Sequence, residues 1–246
     1  MHAVSRYPEI DMIRGIAILM MILFHTVFDL SFFRVSAIDV STGFWRYFAF
    51  STAALFLLVV GISLTLSHAR ASASLSGYRL ARKFLYRGAG IFLIGLLVTA
   101  GTWLYLKEGF IVFGILHLIG ISVMISPIFF RFKLFNIIPG LFFIVIGFFL
   151  TTVTGPIWLL PLGVHPATFW SVDYEPVFPW TGIVLIGMGL GEYLYPRGVR
   201  KFTLPRIPTF FIQPLASLGR YSLIIYLVHQ PIIILLLAAV FGIPLI

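Results

Sequence analysis

Arg14, His25 and Asp29 lie within one long apolar stretch near the N-terminus. Ionisable groups inside such a run are costly to place in lipid, and where they occur they are usually functional. Arg14 and His25 are eleven residues apart. On a helix that is three turns plus about 20°, so they share a face and stand roughly 16 Å apart along the axis. Asp29, four residues beyond His25, lies on the same face. Asp11, three residues before Arg14, can pair with it. One stripe therefore reads Asp11, Arg14, Ile18, Ile22, His25, Asp29. A guanidinium matches phosphate geometry, an imidazole suits general-base work near neutral pH, and a carboxylate one turn away can orient and stabilise the imidazolium. Each pair also has a structural reading. Arg14–Asp11 can be a snorkelling pair at the interface, and His25–Asp29 a polar contact between helices. Their combination on one stripe favours chemistry.

Further polar groups divide between two ends. His117 opens the fourth apolar stretch, Asp173 and Glu175 immediately precede the sixth together with Trp180, and His229 lies in the last beside Tyr226 and Gln230. These are the candidate substrate-binding residues: His117, Asp173, Glu175, Trp180 and His229. Taken singly, His117 and His229 read at least as well as hydrogen-bonded bridges between helices. At the other end Arg220 and Ser222 start the last stretch near the depth of Arg14, and Arg79, Arg82 and Lys83 follow the second stretch. With Arg14 they form a basic pole suited to the phosphates of a nucleotide-bearing donor. Absence of cysteine removes thiolate nucleophiles and disulfides. With no HExxH pattern and no close histidine pair, no metal is expected. Trp45, Trp103, Trp158, Trp170 and Trp180 fall at or beyond the same end as the His and carboxylate groups. They read as an interfacial belt, or as platforms for a sugar.

The elements that must hold these residues follow from composition. Of 246 residues, 60% are hydrophobic and 10% charged, and mean hydropathy is +1.07. That leaves too little polar surface for a water-soluble globule. Near-continuous apolar runs of about 20 residues favour helices over a barrel. The expected architecture is all-α, a polytopic membrane helix bundle forming a single domain over 1–246. About seven spans are expected, at 10–33, 44–68, 84–106, 110–130, 135–153, 177–195 and 216–242. The proline-broken stretch from Gly155 to Trp170 reads as a short outer re-entrant or interfacial loop, and an eighth span is admitted there. Lys and Arg in the loops set the orientation. With the N-terminus in the cytoplasm, the inner side holds Arg6, Arg70, Arg79, Arg82, Lys83, Arg87, Arg131, Lys133, Arg197, Arg200, Lys201 and Arg206. The outer side holds Arg34, Arg46 and Lys107. This asymmetry accounts for the net charge of +9 without nucleic acid.

Several of these segments resemble a known family. Arg14-Gly-Ile-Ala followed by Phe24-His25 and Asp29-Leu30 resembles the heparan-α-glucosaminide N-acetyltransferase-like catalytic domain of prokaryotic membrane proteins. So do Gly114-Ile-Leu-His117-Leu-Ile-Gly-Ile-Ser122, Asp173-Tyr-Glu-Pro-Val-Phe-Pro-Trp180 and the block from Gly219 to Pro231. The spacing of Arg14 and His25 also resembles that of the acyltransferase-3 group, whose Arg and His are functionally required. The resemblance implies a multi-pass enzyme of a prokaryotic plasma membrane. It would move an acyl group, most simply acetyl from acetyl-CoA, to a hydroxyl or amine of an extracytoplasmic glycan or lipid. In the lysosomal member the proposed active histidine lies in a luminal loop, and this chain lacks that luminal region, so heparan sulfate is not implied as the acceptor.

The expectation is thus an acyl-CoA-dependent membrane O- or N-acyltransferase, with His25 and Asp29 catalytic and a homo-oligomer allowed. A proton- or ion-coupled transporter is the alternative, using the same charges as a relay, but no inverted repeat supports it. A third reading is a scaffold or lipid-binding protein in which the polar cluster only fixes helix packing.

Overall fold

The computed structural model describes residues 7–204 and 209–242; Arg6, Arg206 and His2 lie outside them. All regular elements among the described residues are helical. They are α1 (Pro8–Phe32), α2 (Gly43–Ala71), α3 (Gly77–Leu106), α4 (Ile115–Phe129), α5 (Ile137–Leu150), α6 (Val177–Leu194), α7 (Thr209–Arg220) and α8 (Ser222–Phe241), with short 3-10 turns between some of them. The chain gathers into two compact units. The larger is built on Leu57–Thr203, the smaller on Arg6–Phe56 and Leu204–Ile246.

Six runs among the described residues are long and apolar enough to cross a membrane. One of them, Ile115–Leu150, spans 36 residues and holds both α4 and α5. It is not a single crossing. Ser122 of α4 and Gly140 of α5 both meet α6 at adjacent positions, Thr181 and Gly182. A straight helix would put residues 122 and 140 about 27 Å apart. The chain folds back between them through a 3-10 segment, Phe130–Asn136, where Lys133 leaves the helical region at φ 49°. The expected separate spans 110–130 and 135–153 are thus two arms of a hairpin.

In the larger unit, glycines set the helix spacing. A Cβ on Gly61 would stand 2.1 Å from the Val184 carbonyl oxygen, and one on Gly187 2.3 Å from that of Leu58. The Gly187-x-x-x-Gly191 pair therefore lets α2 and α6 run parallel in close contact. Gly88 and Gly120 do the same for antiparallel α3 and α4, and Gly140 and Gly182 for α5 and α6. Facing away from these seams, Leu97 and Phe148 are 72% and 74% exposed, as a lipid-facing surface requires.

Three expectations are corrected. The last span does not run unbroken over 216–242: it divides at Tyr221, so Arg220 closes α7 and only Ser222 opens α8. The third helix begins at Gly77, seven residues early, so Arg79, Arg82 and Lys83 lie on its first turns and not in a loop. The segment after Gly155 forms a 3-10 turn, Ile157–Leu162, too short for an eighth span.

Candidate active site

In the smaller unit α1 starts with Pro8, whose fixed φ suits a first helical turn. α7 runs antiparallel to α1 at backbone contact. A Cβ on Gly15 would stand 2.0 Å from the Leu215 carbonyl oxygen, and one on Gly219 1.8 Å from that of Asp11. Only glycine fits at either point. The chain reverses at Tyr221, and α8 then runs alongside α1 in the same direction, because its residues 229 and 230 meet α1 at 25 and 29.

Arg14 and Asp11 form an ion pair at 2.9 Å. Arg14 Nη1 also points to the Gly219 carbonyl oxygen at 3.4 Å, so this guanidinium ties α1 to the end of α7. Arg220 is exposed and donates to Ser217 Oγ at 2.8 Å.

Three to four turns beyond Arg14 a polar layer crosses the α1–α8 seam. Asp29 is 2% exposed. Its two carboxylate oxygens accept from Gln230 Nε2 at 2.7 and 2.8 Å. No hydrogen bond joins Asp29 to His25, so the expected pairing within the stripe is replaced by one across the seam. His25 instead meets His229 edge-on, ring centroids 4.9 Å apart, with Phe24 and Phe28 packed around it. His229 Nδ1 lies 2.6 Å from the Tyr226 carbonyl oxygen. A carbonyl only accepts, so that nitrogen carries a proton and the neutral ring keeps its lone pair on Nε2. His229 Nε2, His25 Nδ1 and Gln230 Oε1 are all buried without a hydrogen-bond partner. Three such atoms in one layer is a concentration that ordinary packing avoids.

In the larger unit His117, Asp173 and Glu175 meet around the start of α4. His117 is 2% exposed. Its Nδ1 accepts from the Gly114 amide at 3.3 Å, and Nε2 lies 3.5 Å from Thr99 Oγ1 on α3. Held between Phe92 and Phe113, the ring has the geometry of a bridge between α3 and α4. Asp173 Oδ2 accepts from the Ile115 amide at 3.4 Å, a carboxylate at a helix N-terminus. The strand-like segment carrying it is fixed by the Glu175 amide on the Phe113 carbonyl and by Ser171 Oγ on those of Phe110 and Asp173. Glu175 Oε2 is buried without a partner. Burial first, and the charge of Asp173 second, hold the Glu175 carboxyl well above the usual carboxylate range. Burial pushes Tyr174 up to about 12; its hydroxyl donates to the Leu160 carbonyl at 2.7 Å. Trp180 is 6% exposed within α6, away from the role of an open stacking platform. Arg79, Arg82 and Lys83 are exposed on α3, and Arg82 lies over the rings of Tyr78 and Tyr86 at 5.9 Å.

The structure groups these residues differently from their spacing along the chain. His229, expected among the substrate-binding residues, touches His25. Gln230, its neighbour in the sequence, is the partner of Asp29. Their adjacency on an apolar helix, at a depth matching His25 and Asp29, is the sequence signal for this layer.

Buried polar groups inside glycine-sealed apolar helices define a polytopic helical membrane protein. More narrowly, the chain belongs to the family described as heparan-alpha-glucosaminide N-acetyltransferase, catalytic, whose model matches residues 6–231. That family supports a membrane acetyltransferase-like function, and so a transferase. No curated protein and no solved structure matches the chain.

Proposed function

We propose that the protein is an acyl-CoA-dependent acyltransferase of a prokaryotic plasma membrane, N-terminus inside, with His25 as its general base. The observation that carries this reading is the buried His25–His229–Asp29–Gln230 layer with its unpartnered ring nitrogens. An acceptor hydroxyl or amine, on an extracytoplasmic glycan or lipid, gives its proton to His25 as its oxygen or nitrogen attacks the thioester carbonyl. The tetrahedral intermediate expels the CoA sulfur, which takes the proton back from the imidazolium. Acylated acceptor and free CoA result, with no net change in protons or electrons.

Asp29 is a positioning residue in this scheme. Its carboxylate, held by Gln230, lies one helical turn from His25 and stabilises the imidazolium through space. His229, edge-on to His25, can share the proton. Arg14, already oriented by Asp11, supplies positive charge toward donor phosphates, with Arg220, Ser222, Arg79, Arg82 and Lys83 as further donor-binding candidates. Asp173 and Glu175 remain the candidates for orienting the acceptor. His117 serves them indirectly, by fixing the start of α4.

The test is thioester turnover by purified protein with radiolabelled acetyl-CoA and a panel of sugar and amine acceptors. Labelled product from wild type, and none from folded His25→Ala, supports the reading. Solute flux in liposomes without thioester consumption would replace it with the transporter.

A further inference from the structure

We infer that Ser67, Arg70 and Arg87 form a binding site for a phosphate-bearing anion on the larger unit, where α2 ends and α3 begins. Arg87 sits in the third turn of α3 and donates from Nη1 to Ser67 Oγ on α2 at 3.2 Å. Arg70 is three residues past Ser67, so both lie on one side of α2. Ser67 meets Arg87 from that side, so the two guanidiniums share one face of the α2–α3 junction. No carboxylate among the described residues lies within ion-pair distance of either. Glu192 follows Gly191, which packs at the level of Thr65, and makes no ion pair with them. Both arginines are exposed, so the site is open to a ligand.

The apolar side is closed. His68, between Ser67 and Arg70, stacks on Phe130 with centroids 4.0 Å apart, and Phe84, 1% exposed, packs on the same ring. Arg87 is therefore tethered by a hydroxyl beside an apolar wall, with the like charge of Arg70 on the same side of α2. That arrangement carries a repulsive cost unless an anion sits between them. Two planar forks and one hydroxyl suit a tetrahedral oxyanion, whose several oxygens can meet both arginines at once, better than a single carboxylate. The chemistry fits the headgroup of a phospholipid with net negative charge, as opposed to a zwitterionic one, or the phosphate monoester of a soluble nucleotide. The site lies outside the donor-binding residues proposed above, and it does not depend on the role of His25.

Thermal unfolding of the full chain in phosphatidylcholine nanodiscs tests it. One arm replaces part of the lipid with phosphatidylglycerol; the other adds adenosine 3′,5′-bisphosphate. The wild type is expected to gain stability in at least one arm, less so at high salt. The lipid arm alone identifies a headgroup site, the nucleotide arm alone a donor site. In Arg70→Gln/Arg87→Gln the ligand-free protein should unfold no lower than wild type, since repulsion is relieved. The ligand concentration needed for half the shift should rise about tenfold or more. No shift in either arm, an equal shift in the double variant, or a ligand-free Arg87→Gln that unfolds well below wild type would overturn the inference. Acetyl transfer measured on the same variants separates this result from the fate of the catalytic reading.

Discussion

At the residue scale, what matters is which polar atoms are satisfied and by whom. Asp29 takes both of its hydrogen bonds from Gln230. In Gln230→Leu a buried carboxylate would lose them, and unfolding of the protein in detergent should show a loss of about 1–3 kcal/mol. Gln230→Glu should be worse, because two carboxylates would face each other. Glu175 gives a pH prediction. Its carboxyl is held well above 4.5 in the fold, so the folded protein binds a proton that the unfolded chain releases. Stability from this group is present below the ordinary carboxylate pKa and is lost as pH rises through the folded value. The unfolding temperature should therefore fall across that window, with Asp173 the charged neighbour opposing ionisation. Glu175→Gln should flatten the fall, and an unchanged slope would show that Glu175 is not its source. The stripe on α1 was legible because a helix has a fixed angular step. That the partners of His25 and Asp29 come from α8 was not legible, because the register between two apolar helices is set by side-chain packing that hydropathy does not encode.

At the scale of elements, glycines decide where helices touch. A Cβ on Gly15 meets the Leu215 carbonyl oxygen at 2.0 Å, whereas one on Gly90 meets nothing within 4 Å. Gly15→Leu should destabilise the protein by about 1–3 kcal/mol or more through overpacking. Gly90→Ala should be neutral or slightly stabilising, since it only restricts the unfolded chain. Thermal unfolding of the two variants side by side checks the contrast. Equal effects would contradict the α1–α7 contact. Hydropathy marks apolar length well and turns inside apolar sequence poorly. Phe130–Asn136 and Tyr221 interrupt helices without a long polar loop. The α7–α8 break for that reason reads as one span, whereas Arg131 and Lys133 mark the α4–α5 turn inside a 36-residue apolar run.

At the scale of the whole molecule, the uneven spread of Lys and Arg predicts the side on which each loop emerges. The chain has no cysteine, so single cysteines can be introduced and labelled from either side. Ser74→Cys, between α2 and α3, should react with an impermeant maleimide only from the cytoplasm. Ser36→Cys, between α1 and α2, should react only from outside. Reversed labelling would invert the topology, and with it the side from which a donor reaches Arg14.

The central claim is that His25 takes a proton from an acceptor during acyl transfer. Its most direct measurement is the rate of acetyl transfer from acetyl-CoA by purified wild type and His25→Ala, with unfolding temperatures recorded on the same samples. The account predicts a loss of about 10²- to 10⁴-fold in turnover at nearly unchanged unfolding temperature. Turnover in His25→Ala within a few-fold of wild type would contradict it.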